Sequence, residues 1–99
     1  MIIIHETFIC KPGQASKLAK MFKEILDLDD NNKVISILTD LVGDFNKVVL
    51  VSHYESLTDY ERNWEEEMKN AKKMKEMEKI MKDYHDTFLT GKREIYRVW

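Results

Sequence analysis

Four polar side chains stand on stretches that otherwise read as apolar strands: His5, Glu6, Asp40 and His53. A carboxylate beside an imidazole raises the imidazole pKa and orients it as a general base, so Glu6 with His53 is the candidate catalytic pair. Alternation along a strand puts Glu6 on one side with Ile2, Ile4 and Phe8, and His5 on the other. A register that turns Val51 toward the helices brings Val49 and His53 with it. Glu6 and His53 then share one pocket wall, provided the first and third strands are neighbours. The competing reading leaves His53 at a strand end near solvent and Glu6 paired with a lysine; it is favoured, because perturbed pairs are often structural. Strand parity decides between the two, and the sequence leaves it open.

Tyr60 and Trp64 sit one helical turn apart and flank the place where a pocket would open. As ligand-binding residues they stack against a flat molecule; as packing they are ordinary core, which is the more frequent role. Met68, Met74, Met77 and Met81 recur at helical spacing and read as core by the same argument. The run Asp27-Leu28-Asp29-Asp30-Asn31-Asn32 begins like a calcium loop, but Asn32 replaces the required glycine and Leu38 the closing glutamate. A solvated loop is expected there. Lys69, Lys72, Lys73, Lys75, Lys79 and Lys82 are interspersed with Glu76, Glu78 and Asp83, the pattern of a salt-bridged outer surface. Cys10 precedes Lys11, which would lower its pKa slightly, but no base partner is evident and a small buried hydrophobe is expected. His5 reads as an interface histidine and His85 as exposed. No glycine-rich phosphate loop, zinc-ligand spacing or nucleophile elbow occurs, so neither a metal nor a cofactor is expected.

The chain of 99 residues suits one domain spanning 1–99. A formal net charge of −2 gives no electrostatic footprint for nucleic acid or anionic lipid. The lone cysteine permits no intrachain disulfide. Met1-Ile2-Ile3-Ile4 is too short for a signal-peptide core or a membrane span, and the expected location is cytoplasmic.

These side chains need elements to hold them. Residues 2–9 are β-branched and aromatic, a strand broken by Pro12-Gly13. Ala15, Leu18, Ala19, Phe22, Ile25 and Leu26 mark an amphipathic helix over 14–28. Strands are expected over 33–41 and 47–54, joined by a short connection at 43–46. Ser56-Leu57-Thr58-Asp59 is a capping pattern for the next helix. Its apolar stripe runs through Tyr84 and Phe88 to a stop at Gly91. An unbroken helix of that length would span roughly 45–50 Å, more than a four-stranded sheet can cover, so a break is expected near Asn70. Residues 93–99 alternate as a closing strand. The order β-α-β-β-α-β is the ferredoxin-like unit, α+β with a four-stranded antiparallel sheet. Ile2-Ile3-Ile4 and Val48-Val49-Leu50-Val51 are apolar on both faces, whereas the helices cover only one. A second copy packed sheet to sheet is the expected cover, making a homodimer.

Pro12-Gly13, Gly43, Asn46, Val48-Val49 and Tyr54-Glu55-Ser56-Leu57 resemble the dimeric α+β barrel superfamily, and within it the NIPSNAP-like branch, whose members tend to carry a Gly-x-x-Asn-x-Val-Val…Tyr-Glu-Ser-Leu run. The resemblance implies two sheets packed as a barrel, with a pocket between sheet and helices in each subunit. The superfamily includes cofactor-independent monooxygenases, haem-degrading enzymes, polyketide cyclases and small proteins without known activity. Haem-degrading members use an asparagine, a tryptophan and a histidine at positions that look like Glu6, Val51 and about Asn70 here, so haem chemistry is not implied. Ser52 also departs, since NIPSNAP-like sequences often place an aromatic two residues before the tyrosine. The functional expectation is a homodimeric binding or assembly module with a small-molecule pocket. The alternative is a cofactor-independent monooxygenase-like or cyclase/isomerase-like enzyme acting on a small aromatic or polyketide-like substrate.

Overall fold

The computed structural model describes residues 1–28, 33–43 and 45–99. The elements are β1 (Ile2–Cys10), α1 (Ala15–Leu26), β2 (Val34–Thr39), β3 (Lys47–Tyr54), α2 (Leu57–Lys69), α3 (Ala71–Ile80), a 3₁₀ turn (Tyr84–Asp86) and β4 (Phe88–Arg97). The four strands form one antiparallel sheet in the order β2-β3-β1-β4. This is the expected α+β, ferredoxin-like arrangement, with the second helix divided in two.

Local chemistry sets the ends of these elements. Ser56 caps α2 by accepting a hydrogen bond from the Asp59 amide at 3.2 Å. Asn70 leaves helical geometry at φ −87° and ψ 91°, and its side chain accepts from the Lys73 amide at 3.1 Å. One residue therefore ends α2 and caps α3, which is the expected break. In the β2–β3 connection, Asp40 accepts from the Lys47 amide at 2.8 Å, so this strand-end carboxylate is a hairpin staple. Phe45 and Asn46 adopt positive φ of 61° and 54°, and the Asn46 carbonyl accepts from the Cys10 amide at 2.7 Å. The expected loop at 27–32 falls outside the described residues from Asp29 onward, as does Asp44 in the expected connection at 43–46.

The core lies between the sheet and the helices. Ile4, Leu18 and Val48 are fully buried, and Phe8, Cys10, Met21 and Phe22 nearly so. Phe8 is boxed by the rings of Phe22, Tyr84 and Phe88, with centroids 5.5, 6.0 and 5.1 Å away. That box explains a correction. The apolar stripe through Tyr84 and Phe88 reads as continuing helix to Gly91, but α3 stops at Ile80 and Gly91 lies inside β4 opposite Phe8. A 3₁₀ turn followed by a strand also delivers residues 84 and 88 onto one ring, so the four-residue spacing is not unique to a helix. The closing strand accordingly begins at Phe88 rather than at residue 93. Thr87, fully buried in this turn, donates its hydroxyl to the Tyr84 carbonyl at 2.7 Å and leaves no polar atom stranded. Met68 departs from the expected methionine core: it is exposed, whereas Met74, Met77 and Met81 are half-buried.

Directly paired residues on neighbouring strands share a face, so the register divides the sheet. Ile4, Glu6, Phe8, Val48, Leu50, Ser52 and Tyr54 face the helices. Ile3, His5, Thr7, Ile9, Val49, Val51 and His53 take the other face. Leu38 and, on β4, Lys92, Glu94 and Tyr96 join them. Among the described residues no helix packs on that open face. No helix among the described residues is long and apolar enough to cross a membrane.

Candidate functional site

Between the helix-facing side of the sheet and the helices lies a cavity of about 130 Å³. Phe22, Ile25 and Leu50 supply its apolar base, and Met77 of α3 closes it from the side. Its polar lining comes from Glu6, Ser52, Tyr54, Asn63, Glu67 and Lys73, and its aromatic wall from Tyr60 and Trp64. A cavity of this size suits a compact group: an engineered apolar cavity of about 150 Å³ in another protein takes benzene.

The wall is a run of rings. Tyr54 and Tyr60 have centroids 5.1 Å apart, and Tyr60 and Trp64 6.4 Å apart with planes at 77°. These spacings are normal for tilted and edge-to-face aromatic pairs. Arg93 of β4 lies against the same rings without lining the cavity, its guanidinium carbon 5.9 Å from the centroids of both Tyr60 and Trp64. The same guanidinium approaches Glu6 at 3.5 Å, the carboxylate being 23% exposed. The Tyr54 hydroxyl donates to Asn63 Oδ1 at 3.3 Å. Burial above all, then the charge of Glu67, the Tyr60 ring and Glu6, pushes its phenol up to about 12, so it stays protonated at neutral pH. On the far wall Lys73 meets Glu67 at 3.1 Å with only 12% of its side chain exposed.

The structure brings three of the four expected site residues together. Glu6, Tyr60 and Trp64 line one cavity. His53 does not join them. Its cross-strand partner is Ile3, whereas Glu6 pairs with Leu50, so the two side chains take opposite faces and do not share a wall. The expected general-base pair is corrected on that ground, and Val51 likewise faces away from the helices, opposite His5. Among the described residues the buried His53 Nδ1 has no hydrogen-bond partner. His5 lies on the open face against Tyr96, ring centroids 5.2 Å apart, and His85 is exposed. Cys10 is buried, and burial, reinforced by Asp40, raises its thiol pKa rather than lowering it. Among the described residues no three metal-ligating side chains converge.

Of the polar lining, Ser52, Tyr54, Asn63, Glu67 and Lys73 were not legible as site residues in the sequence. Tyr54 and Ser52 share the parity of Val48 and Leu50, a signal hidden because Val49 and Val51 are equally apolar. Lys73 reads as one of many surface lysines, but the break at Asn70 restarts the helix phase and turns it inward. An asparagine capping pattern before an otherwise polar helix was the available clue.

The fold defined here is the ferredoxin-like α+β unit with its site between sheet and helices. It is the fold of NIPSNAP domain proteins. An uncharacterised NIPSNAP domain protein from Burkholderia xenovorans superimposes with a TM-score of 0.80 at 12% identity, covering 100% of this chain and 95% of that one. A NIPSNAP-like domain protein from the same organism gives 0.79 at 18% identity, over 99% and 84% of the two chains. A candidate antibiotic biosynthesis monooxygenase from Deinococcus radiodurans gives 0.63 at 13% identity, over 100% and 93%. At such identities the likeness is one of fold. No protein-family model matches the chain, and no curated protein matches it.

Proposed function

We propose that the chain works as a homodimer joined through the open sheet face, a single-domain cytoplasmic binding module whose small-molecule site is the cavity between sheet and helices. The observation carrying this reading is the contrast between the two faces. One holds a cavity with an aromatic wall and a polar lining; on the other, no helix among the described residues covers Ile3, Ile9, Val49, Val51 and Leu38. Leu38 is 48% exposed in the single chain. An apolar sheet face of this kind is a typical protein contact, and a second copy offers a face of the same shape and chemistry.

The oxygenase-like or cyclase-like alternative needs a base in the cavity. Glu6 is held by Arg93, and the Tyr54 phenol is held protonated, so both favour ligand binding over proton transfer. The test is a thermal-shift screen of small aromatic and polyketide-like compounds against wild type and Trp64→Ala. A compound that raises Tm in wild type and loses that effect in Trp64→Ala supports the site. A panel without effect, or one acting equally on both proteins, contradicts it.

A further inference from the structure

Arg93 is the guide to what the cavity takes. Its guanidinium lies over two aromatic faces at 5.9 Å each and against the Glu6 carboxylate at 3.5 Å. Aromatic faces attract a cation through their quadrupoles, and a carboxylate on the other side completes the seat. The protein thus holds one of its own cations where a ligand cation would sit, on a side chain still 46% exposed and anchored by a long stem. We infer that the cavity mouth between Glu6, Tyr60 and Trp64 binds a small organic cation, a quaternary ammonium or alkylammonium group, which replaces the Arg93 guanidinium on the two rings. This rests on the reading of the cavity as a ligand site and names its ligand class.

The surrounding charges agree with it. Glu61 and Glu65 line a shallow surface depression together with Arg93, Tyr60 and Trp64. Helix α2 carries Asp59, Glu61, Glu65, Glu66 and Glu67 against Arg62 and Lys69, so its field favours an approaching cation. Two lysines line the cavity: Lys73 is engaged by Glu67 at 3.1 Å, and Lys33 is exposed. The Tyr54 phenol is raised chiefly by burial, with the charges of Glu67 and Glu6 adding to it.

The test is a titration with choline and with its neutral carbon isostere, in which a quaternary carbon replaces the nitrogen. Tryptophan emission is read in a Trp99→Phe background, which leaves Trp64 as the reporter because the chain has 2 tryptophans. Ionic strength is held fixed, because exposed charges are screened by salt. Choline should change the emission saturably, and the isostere should bind roughly 3- to 30-fold more weakly. Arg93→Met, which keeps the aliphatic stem but vacates the rings, should bind choline more tightly, and Glu6→Gln more weakly. Wild-type protein followed by the Arg93 side-chain N–H resonance gives a second readout that needs no variant at the site. If the isostere binds as well as choline, the cation assignment falls and the ligand site stands. If neither binds wild type or folded Arg93→Met, the cation assignment falls, and the ligand site falls with it only if the thermal-shift screen on wild type and Trp64→Ala is also without effect.

Discussion

Gly91→Ala puts the corrected end of the chain under direct test. Gly91 lies in β4 opposite Phe8, and a Cβ built there would stand 3.2 and 3.3 Å from Phe8 Cδ1 and Cε1, and 3.8 Å from Phe88 Cε2. Such approaches require a neighbour to yield by a few tenths of an ångström. Phe8 is 6% exposed and boxed by Phe22, Tyr84 and Phe88, so it cannot retreat without moving three rings. Overpacking of this kind costs about 1–3 kcal/mol. Alanine recovers about 0.5–1 kcal/mol through the smaller entropy of the unfolded chain. The clash should win, leaving a net loss of about 1–2 kcal/mol and a fall in Tm of roughly 4–16 °C for a domain of this size. Urea unfolding at fixed protein concentration should show a lower midpoint with an unchanged slope. In a Phe8→Leu background, where the ring is gone, Gly91→Ala should cost little or stabilise. If Gly91 ended a helix instead, the two substitutions would add independently. A Gly91→Ala protein as stable as wild type would refute the packing argument.

Two further outcomes follow from the site. Asn70→Ala removes the cap on Lys73 and should cost about 1 kcal/mol in thermal unfolding; an unchanged Tm would mean the junction is held by something else. The Tyr54 phenol is raised from 10.0 to about 12, so the folded state holds its proton more tightly than the unfolded chain. That contribution to stability is complete below pH 10 and is lost as pH rises toward 12. Tyr54→Phe should therefore flatten part of the alkaline loss of stability, with Tyr84, Tyr96 and Cys10 adding to that loss through their own raised values. A wild-type tyrosinate absorbance titration with no late-ionising phenol would contradict this.

Much of the fold was legible because its signals are local. The Ser56 cap and the β3 bounds rest on neighbouring residues, and the break at Asn70 on the length of the stripe against the width of the sheet. What failed was non-local. Strand parity needs alternation, and strands apolar on both faces supply little, so a shared wall for His53 and Glu6 stays open in the sequence, whereas the register sets them on opposite faces. The end of α3 was hidden because Tyr84 and Phe88 meet Phe8 through a turn and strand as well as they would from a helix. Tyr60 and Trp64 were legible from helical spacing alone, whereas Arg93, the residue that covers them, lies in β4 and meets them only in three dimensions.

The open face also carries polar groups that a partner must accommodate. Glu94 lies beside Lys92 at 3.4 Å, and its carboxyl is held below the ordinary range by hydrogen bonds with Tyr96 first and Lys92 second. These groups line the β4 side of the face, and Val49 and Val51 the β3 side. A face-to-face dimer buries the apolar side most fully, which makes Val51 the position whose change separates assembly from ligand binding.

Light scattering coupled to size exclusion at low micromolar concentration tests the central claim most directly. Wild type should give twice the 11.8 kDa chain mass, and Val51→Lys, which puts a charge on the open face, should shift the protein toward monomer. A wild-type mass of one chain would contradict the homodimer and leave the open sheet face in need of a different cover.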